Sequence, residues 1–139
     1  STTTEVPLPG GETPAPDLAA RLPQLSAPGL ARLIRLHGAG TAVIADRVAA
    51  TPASGEPIPG LPGVLRAEVE HAVDDEMALT LEDVLERRLR VLLFDRAQGL
   101  GGVEATAAIV ADRLRWDAAR TAAEIDGYRR LAAGLRSFK

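Results

Sequence analysis

Downstream of residue 16 the apolar positions recur three and four apart with turn residues between the recurrences, which is the spacing of one face of an α-helix. This pattern predicts a short helix over residues 17 to 22. A firmer helix starts from Ser26 as N-cap, carries Leu30, Leu33, Ile34 and His37, and stops at Gly38. Residues 40 to 50 (GTAVIADRVAA) predict another short helix. Behind it TPASGEPIPGLPG holds four prolines and predicts a loop between two helical halves. Residues 64 to 77 set Leu65, Val69, Ala72 and Val73 along one helical face. Thr80-Leu81-Glu82-Asp83 is a capping-box variant, with Asp83 where Glu or Gln is usual. From there Leu81, Val84, Leu85, Leu89, Leu92 and Leu93 form the strongest apolar stripe of the chain, which predicts a helix at the centre of the bundle.

After a glycine-rich turn at residues 99 to 102, Val103, Ala107, Val110 and Leu114 share one face, with Ile109 and Trp116 on another. Asp117 is placed to cap a last helix bearing Ala118, Ala122, Ile125, Tyr128, Ala132 and Leu135. Helices joined by short loops, with no β-rich run, predict an all-α fold: an irregular or orthogonal bundle of five or six helices over residues 17–139. Residues 1–16, STTTEVPLPGGETPAP, are too rich in proline and glycine for a helix and read as a linker.

Composition narrows this picture. The 139 residues are 46% hydrophobic, enough for one core, but only 3% aromatic, so Leu, Val, Ile and Ala must fill it, as close-packed helices allow. A net charge of -3 argues against a nucleic-acid partner. The lack of cysteine removes disulfides and thiolate metal sites and accords with a reducing cytosol. No apolar run approaches the roughly 20 residues of a membrane span, so the expected location is cytoplasmic.

Candidate chemistry is sparse. With two histidines and no cysteine, a zinc site would have to recruit carboxylates from Glu70, Asp74, Asp75 and Glu76. His71 and Asp75, one turn apart, could share an ion, although a solvated acidic face is the plainer reading. His37, on the apolar side of its helix, reads as a core histidine with a satisfied hydrogen bond. The glycines at 99, 101 and 102 follow no strand and complete no phosphate-binding motif. Catalytic, cofactor-binding and metal residues are therefore expected to be none. Two charges do fall inside apolar stripes at 100° per residue: Glu76 between Leu65, Val69 and Ala72, and Arg88 among Leu81, Leu85 and Leu92. Buried charges need partners, so Glu76 and Arg88 are expected to form a structural ion pair with each other, or with the neighbouring Glu68 and Arg87.

The same stretch carries a family signature. Ala67-Glu68-Val69, Glu76-Met77-Ala78, Thr80, Asp83-Val84-Leu85 and Arg87-Arg88 resemble the pattern AEV, EMA, T, DVL, RR of the C-terminal domains of FAD-dependent glycerol-3-phosphate dehydrogenases and alpha-glycerophosphate oxidases. LRWD at residues 114 to 117, Glu124-Ile125 with Tyr128, and VPLPGG near the start are similar to it as well, so the resemblance covers nearly the whole chain. Leu36-His37-Gly38 departs from it, since a tyrosine commonly precedes that glycine. The resemblance implies a non-catalytic accessory or cap domain. Its partner would be the N-terminal flavin domain of the same chain, which holds FAD and oxidises sn-glycerol 3-phosphate to dihydroxyacetone phosphate, with quinone or oxygen as electron acceptor. It leaves room for a homo-oligomer and for a parent enzyme held peripherally at the inner face of the cell membrane. The alternatives are a free-standing helical interaction module or a small-molecule sensor.

Overall fold

The structure, a computed structural model, describes residues 14–136. Among the described residues seven α-helices follow one another: α1 (Leu18–Arg21), α2 (Ala27–His37), α3 (Thr41–Ala50), α4 (Arg66–Asp74), α5 (Val91–Phe94), α6 (Val103–Leu114) and α7 (Ala118–Arg136). Short 3₁₀ turns at Gly38–Gly40, Pro52–Gly55 and Leu100–Gly102 and a π-helical segment at Asp83–Arg88 lie between them. Among the described residues the only β pairing is an isolated bridge between Pro57 and Leu65, so the fold is all-α, as the periodicity predicts. Five of these helices are longer than one turn, and α1 and α5 are single turns of four residues. Of the expected linker, residues 1–13 lie outside the described residues, and Ala15 packs against the α1–α3 cluster.

The helix boundaries follow local chemistry. Ser26 Oγ accepts the Gly29 N–H at 3.3 Å, and α2 ends at Gly38, whose φ of 55° reverses the chain. Thr80 and Asp83 exchange reciprocal bonds, Asp83 N–H to Thr80 Oγ1 at 3.0 Å and Thr80 N–H to Asp83 Oδ2 at 3.1 Å, which realises the expected capping box. Asp117 Oδ1 accepts the Arg120 N–H at 2.7 Å and starts α7.

Two expected helices are shorter than their stripes suggest. α4 begins after Leu65 and ends at Asp74. Beyond it Met77 adopts a left-handed φ of 59°, and the Ala78 N–H closes back on the Ala72 carbonyl at 2.9 Å. Glu76 is therefore outside the helix, and the 100° rule that placed it in the apolar face does not apply to it. The stripe from Leu81 is not one α-helix either. It widens into the π turn, where Leu89 N–H bonds Val84 O five residues back, breaks at Arg90 (φ 56°), and resumes as α5. Leu81, Val84, Leu85, Leu89 and Leu92 still reach the core, whereas Leu93 is exposed.

Two apolar clusters result. The smaller unites Leu18, Leu22, Leu33, Ile44 and Ala45 with Leu65 and Ala67 at the start of α4; the larger joins Val69, Ala72 and Val73 of α4 to the 81–92 segment, α6, and Tyr128 and Ala132 of α7. α4 is thus the shared wall of both clusters and packs most extensively on α6, taking the central place expected of the leucine stripe. Where the proline-rich loop meets the loop before α6, Gly60 (φ +80°) lies so close to Gly101 that an added Cβ would stand 1.9 Å from the Gly101 carbonyl oxygen.

α7 is only half covered. Tyr128 and Ala132 are buried, but Ala118, Ala122 and Leu135 of its expected stripe are exposed. Its fastenings are polar: Glu124 Oε2 accepts the Leu81 N–H at 2.9 Å, and the Tyr128 hydroxyl donates to the Gln98 carbonyl at 2.7 Å. Two residues of the family signature thus cap the start of the leucine stripe and tie down the loop after α5.

Candidate functional site

Charged side chains concentrate around α4. Glu68 is fully buried at the start of the helix, as its third residue, so its carboxylate can reach back to accept the Leu65 N–H at 2.8 Å. Arg32 of α2 supplies the countercharge, its Nη2 lying 2.6 Å from both carboxylate oxygens and 2.8 Å from the Gly63 carbonyl. Burial pushes the Glu68 carboxyl above the usual carboxylate range, and the Arg32 charge and hydrogen bonds offset only part of that. Its partner is therefore neither Arg87 nor Arg88. Arg87 is exposed and pairs locally with Glu82 at 2.6 Å and with Asp83.

Glu76 and Arg88 do meet. Arg88 Nε lies 3.2 Å from Glu76 Oε2, and Arg88 Nη2 donates to the Glu76 carbonyl at 2.8 Å. The expectation that both point into the core is corrected, since their side chains are 32% and 37% exposed. The turn at Met77 and the π segment carry both off the helical faces on which they had been placed.

The acidic row is not a simple solvated face. Glu70 is buried and accepts from Ser54 Oγ at 2.6 Å and Arg66 Nε at 2.9 Å, with Arg113 Nη2 at 3.1 Å. Asp74 is shared by Arg113 of α6 and Arg47 of α3 at 2.6 and 2.7 Å. Arg47 also reaches Asp75 at 2.8 Å, and Asp75 Oδ2 meets His71 Nδ1 at 2.7 Å. His71 Nε2 then faces Glu76 Oε1 at 3.7 Å. One ribbon of charge therefore runs Arg113, Asp74, Arg47, Asp75, His71, Glu76, Arg88 across α3, α4, α6 and the π segment.

Burial pushes the Glu70 carboxyl up, but the bonds from Ser54, Arg66 and Arg113 outweigh it and hold the group below its ordinary 4.5. A depressed folded value contributes stability that is present above 4.5 and lost as pH falls through the folded value. Glu68, with its raised value, acts in the opposite sense, and stability is recovered as pH falls through it. Urea midpoints measured against pH should therefore rise slightly on mild acidification, as Glu68 takes up its proton, and then fall as pH drops below 4.5 and Glu70 loses its charge. Glu70→Gln should lower the plateau and flatten that acid limb. An unchanged limb in Glu70→Gln would remove Glu70 from the set of stabilising carboxylates.

His37 closes α2, half-buried, with its ring 5.7 Å from that of His71 in an edge-on arrangement. Burial, then the charges of His71 and Arg32, lower it to about 4, so the imidazole is neutral near pH 7. The expected satisfying hydrogen bond is missing: Nε2 is shielded from solvent without a partner among the described residues.

A cleft of about 410 Å³ opens between α2 and the 89–95 segment, walled by Arg32, Leu36, Leu61, Leu89, Arg90 and Phe94 among others. Arg32 Nε and Nη1 are buried without hydrogen-bond partners among the described residues. Phe94 stands 77% exposed, with the Arg90 guanidinium 5.5 Å from its ring centroid. Met77, Leu79 and Leu93 are further large apolar side chains in solvent. Sequence reasoning missed Arg32, Ser54 and the meeting of the two histidines. Arg32 and Glu68 are 36 positions apart, and no local pattern announces such a partner. A glutamate three residues after Leu65 was the one legible sign, as a capping carboxylate.

Comparison with known proteins agrees with this architecture. A family model described as the C-terminal domain of alpha-glycerophosphate oxidase matches residues 1–121. The chain is 32% identical over 96 residues to glycerol-3-phosphate dehydrogenase 2 of Mycobacterium tuberculosis and of Mycobacterium bovis, covering 69% of this chain and 16% of each relative. It is 36% identical over 94 residues to the glycerol-3-phosphate dehydrogenase of Mycobacterium leprae, covering 68% of this chain and 15% of that protein. The chain thus spans about a sixth of the length of these curated relatives. No solved structure gives a significant match. The match over residues 1–121, together with an all-α fold in which residues of the signature supply caps, ion pairs and loop ties, shows that the chain belongs to the family of alpha-glycerophosphate oxidase C-terminal domains.

Proposed function

We propose that this domain is the non-catalytic accessory domain of an FAD-dependent glycerol-3-phosphate dehydrogenase, packing against the flavin domain that oxidises sn-glycerol 3-phosphate to dihydroxyacetone phosphate. The observation that carries the reading is the family match joined to relatives about six times longer than the chain. The surface supports it. A cleft rimmed by the exposed Phe94, and an α7 whose alanine stripe is half uncovered, suit a face that a further domain closes. FAD and substrate belong to the flavin domain in this reading, and the charge ribbon around α4 keeps the accessory domain rigid. Placement in the cytoplasm, with the enzyme held at the inner membrane face, belongs to the same proposal; no helix among the described residues is long and apolar enough to cross a membrane.

The test compares this chain alone with the natural polypeptide that contains it. The chain alone should retain no flavin after desalting and should not oxidise glycerol 3-phosphate. In the full polypeptide, amides around Phe94 and along α7 should exchange more slowly than in the isolated domain. Phe94→Asp should abolish that added protection while leaving the isolated domain folded. Equal exchange in both contexts would favour a free-standing interaction module, and stoichiometric flavin on the isolated chain would overturn the reading outright.

A further inference from the structure

His37, His71 and Glu76 come from three separate places: the last residue of α2, the middle of α4 and the turn beyond it. One ligating atom from each lies within 4.8 Å of the others. Around a tetrahedral zinc ion with bonds of about 2.0 to 2.1 Å, ligand atoms stand about 3.3 Å apart, so closure needs only a small inward movement of side chains. We propose that these three residues form a binding site for a borderline divalent cation, Zn²⁺ in the first place, with two imidazole nitrogens and one carboxylate oxygen as ligands and a fourth position left to water. This inference stands independently of the function proposed above.

Four observations carry it beyond proximity. His37 Nε2 is buried with no hydrogen-bond partner among the described residues, a cost that a metal bond would remove. His71 Nδ1 is engaged by Asp75 at 2.7 Å, which leaves Nε2 as the free nitrogen and points it at Glu76 Oε1, 3.7 Å away. A carboxylate on the far nitrogen is how metal-bound histidines are oriented and made more basic, and Asp75 is itself fixed by Arg47 at 2.8 Å. On the third ligand, Arg88 Nε stands 3.2 Å from Glu76 Oε2 as an ion pair, but that oxygen is buried without a hydrogen bond among the described residues, and Oε1 faces His71 Nε2 at 3.7 Å, so the carboxylate keeps capacity for a cation. The donor set of two nitrogens and one oxygen, without thiolate, suits zinc and its neighbours Co²⁺, Ni²⁺ and Cu²⁺ better than Mg²⁺ or Ca²⁺.

The competing arrangement is a protonated His71 shared between Asp75 and Glu76, with His37 merely packed against it. Such an arrangement takes up no metal, so binding separates the two. The natural polypeptide containing these residues, stripped with a chelator, is titrated with Zn²⁺ by calorimetry and with Co²⁺ by visible absorption. The expected result is one tight Zn²⁺ per chain, a rise in thermal midpoint on binding, and the strong visible bands of tetrahedral, nitrogen-ligated Co²⁺. His37→Gln and Glu76→Gln, both conservative at partly exposed positions, should each remove that Co²⁺ spectrum. Asp75→Asn should keep the site but weaken it by about 10- to 100-fold. A wild-type protein without those bands overturns the site and requires no variant. Undiminished binding in both His37→Gln and Glu76→Gln overturns it equally, by placing the metal elsewhere.

Discussion

Arg32→Ala is expected to lower the unfolding free energy by about 3 to 5 kcal/mol, a large share of the roughly 5 to 15 kcal/mol available to a domain. The cause is what the substitution strands. Glu68 is fully buried, and with Arg32 gone its only remaining hydrogen-bond partner among the described residues is the Leu65 N–H. The carboxyl is already held above its usual range by burial, and loss of the guanidinium raises it further. A raised folded value contributes stability that is lost as pH rises through it, so the variant should be weakest at neutral and alkaline pH and regain part of its stability on acidification. Replacing both residues by leucine or methionine should cost much less than Arg32→Ala, because no charge is then left to desolvate. Arg88→Ala supplies the contrast: its pair with Glu76 is about one third exposed on both sides, so the expected cost is about 1 kcal/mol. Urea unfolding of the four proteins measures this. If Arg32→Ala and Arg88→Ala cost the same, the charge at Glu68 is not what joins α2 to α4.

Gly60→Ala is expected to cost about 2 to 5 kcal/mol, out of proportion to the single methyl group added. Its φ of +80° excludes an L side chain without strain, and the Cβ would meet a backbone oxygen at 1.9 Å, which no rotamer change relieves. The 60s loop must then draw back from the loop before α6. Leu61, which packs against Gly102 and belongs to the larger core cluster, would be pulled with it. Gly134→Ala is the control: among the described residues no atom beyond its own helix backbone lies within 4 Å of an added Cβ there, and within α7 alanine is the better helix former, so it should be neutral or stabilising. A thermal midpoint for Gly60→Ala equal to wild type would mean that the two loops do not pack as described.

Much of this protein is written locally. Ser26, Gly38, the Thr80–Asp83 box and Asp117 mark helix ends through hydrogen bonds spanning three or four residues, and such signals are complete in the chain itself. Leu81, Leu85, Leu89 and Leu92 could be named as core from their apolar spacing, whereas Leu61, in the proline-rich loop, carries no such periodic signal. Charge placement could not be read that way. The 100° rule presumes an unbroken α-helix, and the left-handed Met77, the π turn at Asp83–Arg88 and the left-handed Arg90 each reset the angle. Glu76 and Arg88 were therefore set too deep, although their nearness in sequence still brought them together. Glu68 and Arg32, Glu70 and Ser54, and His37 and His71 are joined across 36, 16 and 34 positions, where a partner is chosen by which helices pack. That choice belongs to the tertiary structure, because a buried charge takes whichever countercharge the assembled core sets within reach.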